Sequence, residues 1–293
     1  MERISFYDQI AANKRKSYFL MFLIFLVFLL LGYAISKVYT AMSFFSIMIL
    51  AIIISIFYLM ISYYNSDKIA LASVNAKPAN RNECRQYYDS VEGLTIASGL
   101  PMPKLYVMQN EQINAFATGR DPKNAVVCVT TGALQKLNKQ ELEGVLSHEM
   151  SHIANFDIRF MTLVAVMVGM IAIISEIFLR SMWFKSSDRD SKGSAIFLII
   201  GLVLAILAPI VVQLVQLSIS RKREFTADAT AVKFTRTPTG LIGALKKIKN
   251  DKPMKVSGAM KSLFMSDPAR SKIQNLFSTH PDINERIKIL EKM

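Results

Sequence analysis

The chain has 293 residues, 52% of them hydrophobic, with a mean hydropathy of +0.31 and a formal net charge of +13. That is too apolar for an ordinary soluble domain, and the charge comes without an RNA- or DNA-binding signature, so no nucleic-acid partner is expected. In so apolar a chain, excess Lys and Arg read as basic faces against anionic headgroups, which makes the lipid bilayer a partner.

Residues 1–17 carry Arg3, Lys14, Arg15 and Lys16 and read as a cytosolic segment, because positive charge beside a span marks the cytoplasmic side. The stretches 17–36 and 38–66 contain no charged residue. A helix needs about 20 mostly apolar residues to cross a bilayer, which predicts spans near 18–38 and 43–63 and a transmembrane hairpin over 18–63. The first run is longer than the roughly 7–15-residue core of a signal peptide and lacks a clean small-x-small cleavage site, so it reads as retained. Residues 64–158 form a polar segment. A helix is predicted over 80–99, stopped by Gly99 ahead of Pro101 and Pro103. Strand-like runs follow at 104–108, 114–118 and 125–130, with Gly119 and Pro122 as turns. Cys128 reads as core, and Cys84 and Cys128 are not spaced as a metal-binding pair. A helical turn at 132–137 leads to Asn138, an N-cap with Glu141 three residues on, a variant of the capping box. The helix it opens, from 139 to about 155, has Leu142, Val145, Leu146 and Ile153 as its apolar face.

Uncharged runs return at 160–175 and 194–220 and predict spans near 159–179 and 195–218, a second hairpin over 159–219 with Glu176 and Arg180 at its interface. Residues 220–293 open with Arg221, Lys222 and Arg223. The basic flanks put the N-terminus, 64–158 and 220–293 in the cytoplasm. The turn holding Arg180, Lys185, Arg189 and Lys192 runs against that rule, but the first spans usually dominate orientation. The two polar segments together make one domain of about 170 residues. The expected fold is α+β: a mainly helical membrane protein with four transmembrane helices and a cytosolic domain holding a small β-sheet.

The chemistry sits in His148-Glu149-Met150-Ser151-His152, two of the chain's 3 histidines four apart around a glutamate. On a helix both imidazoles lie on one face and reach one metal ion, with Glu149 as general base for the attacking water. Catalytic zinc takes three protein ligands and keeps one position open. A third ligand at H-E-x-x-H-x-x-G-x-x-H is excluded, because position 155 is Asn and position 158 is Ile. The best remaining candidate is Glu224, four residues before Asp228 on the same helix face. Asp228 would accept a hydrogen bond from the outer nitrogen of a ligand histidine and fix its tautomer. His280, before Pro281, could donate to the oxyanion of the tetrahedral intermediate or could simply hold the start of the last helix. Asp282 and Arg286 read as first-turn and helix-packing residues. One Zn²⁺ per chain is the expected cofactor, favoured by the N/N/O donor set.

His148-Glu149-x-x-His152, a membrane hairpin, Arg221-x-x-Glu224-Phe225-x-Ala227-Asp228, and Thr279-His280-Pro281 with Arg286 together resemble the HtpX-type membrane zinc metalloproteases, relatives of the CAAX-prenyl endopeptidases. The resemblance runs over essentially the whole chain. It implies a zincin-like endopeptidase of the gluzincin type in the bacterial inner membrane, with its active site in the cytoplasm. Its implied role is quality control of misfolded or damaged membrane proteins. The family's Asn-Ala-Phe edge-strand motif is matched by Asn114-Ala115-Phe116. By that analogy these residues pair with extended polypeptide substrate, as an exposed sheet edge can; an interior strand is the alternative.

Two further patterns leave alternatives open. Gln213, Gln216, Ser220 and Glu224 share one helix face, which suits either a polar stripe toward the cleft or hydrogen bonding within the bundle; Pro209 would kink the helix above it. The segment 251–277, with Met254, Met260, Phe264 and Met265, suits either a flap or core filling. An intramembrane protease is disfavoured by Gln140, Glu141, Glu143, Asn155 and Asp157 around the motif. A transporter or inactive scaffold is disfavoured by the near absence of charges in the spans and by the intact Glu149.

Overall fold

The structure is a computed structural model that describes residues 6–38, 42–165, 201, 221–252, 264–265 and 281–293. Two antiparallel helices lie where the first hairpin is predicted. Helix α1 runs Phe6–Val38 and α2 runs Phe44–Tyr64, opened by the Ser43 hydroxyl accepting from the Ser46 amide. Phe28 meets Tyr58, and Tyr33 meets Phe44, so the two helices are antiparallel. At Gly32 a methyl group would lie 2.5 Å from the Ala51 Cβ, so the backbones approach closely there. Phe22, Phe45 and Phe57 point outward and exposed, as lipid-facing side chains do. Among the described residues α2 is the one helix long and apolar enough, by those tests, to cross a membrane. Of the second predicted hairpin only 159–165 and residue 201 are described. Pro209, Gln213, Gln216 and Ser220 lie outside, as does most of 251–277.

After α3 (Ser66–Ser73), a mixed sheet forms from β1 (Lys77–Pro78), β2 (Lys104–Met108), β3 (Ala115–Thr118) and β4 (Val126–Thr130), in the order β1-β2-β4-β3. β2 and β4 are parallel, with Leu105 opposite Val127. β3 runs antiparallel to β4 on the edge, with Phe116 opposite Cys128. Alternate side chains of β4 serve two cores, as the period of a strand requires. Val127 and Val129 pack with Tyr87 of α4 (Arg85–Ser98) and with Val145 and Leu146 of α6 (Lys139–Ala154). Val126 and Cys128 face Phe116, Met161 and Phe264. The expected core place of Cys128 is borne out.

The predicted helix over 80–99 starts later, at Arg85. Asn80 accepts from the Asn82 amide through its side chain and from the Cys84 amide through its carbonyl, a local turn that competes with a helix. Its end is as expected, with Gly99 at φ 70. The short α5 (Thr131–Lys136) leads into α6. There the predicted capping box is complete: the Glu141 amide donates to Asn138 at 2.9 Å and the Asn138 amide to Glu141 at 2.8 Å. α6 ends in the two-residue turn Asn155-Phe156, with Phe156 at φ 58, and residues 157–165 start a new helix, α7. α7 wedges between the hairpin and the sheet: Phe160, Leu163 and Val164 pack on Leu20 and Ile24 of α1, and Thr162 meets Thr118 at 2.9 Å.

α8 (Arg221–Thr235) and α9 (Thr239–Asn250) both pack on α6, and α10 (Ile283–Leu290) closes on α8 and α9. α6 and α9 touch through glycine: a methyl group on Gly144 would meet the Leu241 amide, and one on Gly240 the Gln140 carbonyl. Gly144→Ala therefore forces the helices apart and lowers stability by about 1–3 kcal/mol, read as a drop in the thermal unfolding midpoint.

Candidate active site

α6 presents His148 and His152 one turn apart, both buried, with ring centroids 4.9 Å apart and planes at 89°. α8 brings Glu224 between them. Its two carboxylate oxygens lie 3.5 Å from His148 Nε2 and 3.7 Å from His152 Nε2. The three ligand atoms all fall within 4.8 Å of one another. Donors about 2.0–2.1 Å from a tetrahedral zinc lie roughly 3.3 Å apart, so the spacing fits that ion. His148 Nε2, one of the three converging atoms, is buried with no hydrogen-bond partner, as is one oxygen of the adjacent Glu149.

The outer nitrogens explain why the rings face inward. His148 Nδ1 lies 2.9 Å from Asp228, as expected from the sequence, and His152 Nδ1 lies 3.0 Å from Asp157. Each carboxylate fixes the tautomer that leaves Nε2 available to a metal. Arg286, fully buried on α10, donates to both Asp228 oxygens at 2.9 and 2.6 Å, and reaches Glu224 at 3.8 Å. This corrects its reading as a helix-packing residue: it lies against the site. The sequence assigns no site role to Asp157, and it picks out Arg286 only within the family resemblance, without its partners. Asp157 had a usable signal, a carboxylate just past the helix that carries His152. Arg286 had only the family resemblance, because nothing local in α10 marks its partners.

Electrostatics follow from this crowding. Burial and Arg286 both act to lower the His148 pKa, but the neighbouring carboxylates of Asp228 and Glu224 outweigh them and raise it to about 9. For Asp228, burial raises the pKa, yet Arg286 and His148 hold it down to about 2. The Arg286 guanidinium is disfavoured by burial but raised on balance by Asp228. Burial raises Glu149, against the two histidines and a hydrogen bond from the Ala117 backbone. The carboxylates thus draw a cation onto the Nε2 face.

The edge strand is less open than its motif suggests. The Asn114 side chain folds back to accept the Ala115 amide at 3.0 Å. The Phe116 side chain is core and meets Phe264 edge to face, with ring centroids 5.1 Å apart. The Ala115 carbonyl accepts from the Met265 amide at 2.9 Å. His280 lies outside the described residues.

Residues 78–293 match peptidase family M48. The chain belongs to peptidase family M48. Relatives described as "Protease HtpX homolog" align along the whole chain. One from Thermoanaerobacter pseudethanolicus is 45% identical over 300 residues, covering 100% of this chain and 99% of that protein. One from Dictyoglomus thermophilum is 43% identical over 295 residues, covering 100% and 96%. One from Streptococcus pneumoniae is 39% identical over 298 residues, covering 98% and 99%. A solved structure, Ste24p from S. mikatae, aligns at 21% identity with a TM-score of 0.47, covering 96% of this chain and 66% of that one. As an M48 member the chain is a membrane-bound zinc metallopeptidase acting on polypeptides, and the His148, His152 and Glu224 cluster agrees with the family's zinc site.

Proposed function

We propose that this M48 peptidase hydrolyses peptide bonds of misfolded or damaged membrane proteins at the cytoplasmic face of the bacterial inner membrane. One observation carries the catalytic part: two histidines and a glutamate converge on one point, with each histidine's outer nitrogen held by an aspartate. His148, His152 and Glu224 hold the metal, which when bound polarises the scissile carbonyl and lowers the pKa of water. Glu149 takes the proton from the attacking water on a carboxylate oxygen and delivers it to the leaving amine nitrogen. Burial suits it to that task by making it a stronger base than an exposed carboxylate. Asp228 and Asp157 keep the rings oriented, and Arg286 holds Asp228. Asn114, Ala115 and Phe116 form the substrate-binding edge: Thr130 holds the Asn114 main chain and Phe116 pairs with Cys128 of β4, so substrate aligns on the outward main chain of Ala115, where using its carbonyl displaces the Met265 amide. His280 serves as the oxyanion donor.

Four transmembrane spans with a cytoplasmic site remain the reading that the charge pattern supports. The described contacts agree with it. Lys14 of α1 lies 4.5 Å from the Phe156 ring, and Arg223 at the start of α8 is 3.2 Å from Asp157. The basic end of α1, the α6–α7 turn and the start of α8 thus meet beside the site.

Detergent-purified protein is expected to cleave casein, to lose that activity with a chelator and to regain it with zinc. In vesicles it is expected to cleave a destabilised membrane protein with a cytoplasmic tail faster than its folded parent. Activity indifferent to chelation would overturn the catalytic reading, and equal cleavage of both membrane substrates the quality-control reading.

A further inference from the structure

We propose that Asn13, on the N-terminal part of α1, is a positioning residue of the zinc site, acting on His152 through Asp157. The proposal rests on the assignment of His152 as a ligand. The Asn13 side-chain amide donates to Asp157 Oδ1 at 2.6 Å and to the Asn155 carbonyl at 3.1 Å. The other oxygen of Asp157 lies 3.0 Å from His152 Nδ1. Asn13, Asn155, Asp157 and His152 are all buried.

Three features make this arrangement more than a packing contact. The first is stoichiometry. One NH₂ group spans two acceptors, the carboxylate that orients His152 and the carbonyl at the C-cap of the ligand helix. The second is the competition for Asp157. Arg223 approaches the same oxygen that Asn13 holds, at 3.2 Å. An aspartate pulled by Arg223 alone can swing toward α8; one pinned by Asn13 keeps its second oxygen on His152. The third is the turn itself. Phe156 has a positive φ, a backbone conformation unfavourable for a bulky side chain, and only two residues separate the ligand helix from α7. Asn13 ties both sides of that turn, and Lys14 covers the Phe156 ring.

The connection continues into the hairpin. Ser17, one turn on, donates to the Asn13 carbonyl at 2.9 Å, and Leu20 and Ile24 pack on Phe160, Leu163 and Val164. A helix whose outer length is apolar therefore supplies a polar group to the shell around the metal. Loss of an outer-shell partner of a ligand histidine lowers metal affinity by about 10–100-fold.

The test measures zinc affinity of the full-length protein by competition with a chromophoric chelator, with thermal unfolding of the metal-free form as a separate readout. Asn13→Ala is expected to weaken zinc binding about 10–100-fold while the metal-free midpoint moves little. Asn13→Asp, which keeps the volume but opposes a carboxylate to Asp157, is expected to weaken it at least as much. Because Asn13 acts through Asp157, the double variant Asn13→Ala/Asp157→Ala is expected to bind zinc no more weakly than Asp157→Ala alone. Ser17→Ala, which leaves the Asn13 amide in place, is expected to keep wild-type affinity. Unchanged affinity in Asn13→Ala and Asn13→Asp, or fully additive losses in the double variant, overturns the proposal. His152→Ala separates the two failures. If it binds zinc as tightly as wild type, the ligand assignment has failed; if it loses zinc while the Asn13 variants do not, only the positioning role has.

Discussion

Glu149→Gln is expected to lower kcat by about 10²–10⁴-fold while the protein still binds one zinc per chain. The substitution keeps the shape of the side chain and removes its basicity. Glu149 is not among the three converging ligand atoms, so metal affinity has no reason to fall. One of its oxygens is buried without a hydrogen-bond partner, while the carboxylate also receives the Ala117 backbone amide. One side of the group is thus anchored to β3 and the other is left for a proton. The check is casein turnover at saturating substrate alongside metal analysis of the same preparation. Loss of zinc together with activity would show that Glu149 helps hold the site and does not simply move protons.

Arg286→Met is expected to destabilise the protein by about 3–5 kcal/mol, because it leaves a buried carboxylate without its partner. Asp228 receives two hydrogen bonds from the guanidinium and is fully buried, and Glu224 lies 3.8 Å from the same group. The measurement is denaturant or thermal unfolding of the metal-free protein. A second substitution sharpens the result. Arg286→Met with Asp228→Leu exchanges the ion pair for apolar contact, and is expected to recover much of the lost stability. It is not expected to recover zinc affinity, since His148 then has no carboxylate on Nδ1. Recovery of both would mean that Asp228 does not orient His148.

These two cases show how legible the site is in the chain. His148, Glu149 and His152 are local, and a helix turn brings them together at fixed spacing, so a five-residue pattern reveals them. Glu224 and Asp228 carry the same one-turn spacing and could be recognised as a second half of the site. The parts that were missed come from groups whose role is set by tertiary contact. Arg286 is an ordinary helix arginine until α10 docks, and Asn13 is a polar residue at the foot of an apolar helix. The same distinction holds in the fold. The capping box at Asn138 and the stop at Gly99 are local chemistry and were read correctly. The two-residue β1 exists because β2 offers it a partner, and the start of α4 shifted because Asn80 found a local hydrogen bond instead. The edge strand was recognised by its motif, but its cover, the Met265 amide, comes from 150 residues further along the chain.

Arg286 also sets a clock on synthesis. The arginine follows His148 by 138 residues. At about 5–20 residues per second, a ribosome has made the H-E-x-x-H helix many seconds before it makes the group that neutralises Asp228. In that interval Glu149, Asp157, Glu224 and Asp228 cannot be buried around two imidazoles without a large electrostatic penalty, so the ligand helices have little drive to close. A nascent chain therefore exposes its zinc motif without the compact surroundings that make it a cutting tool.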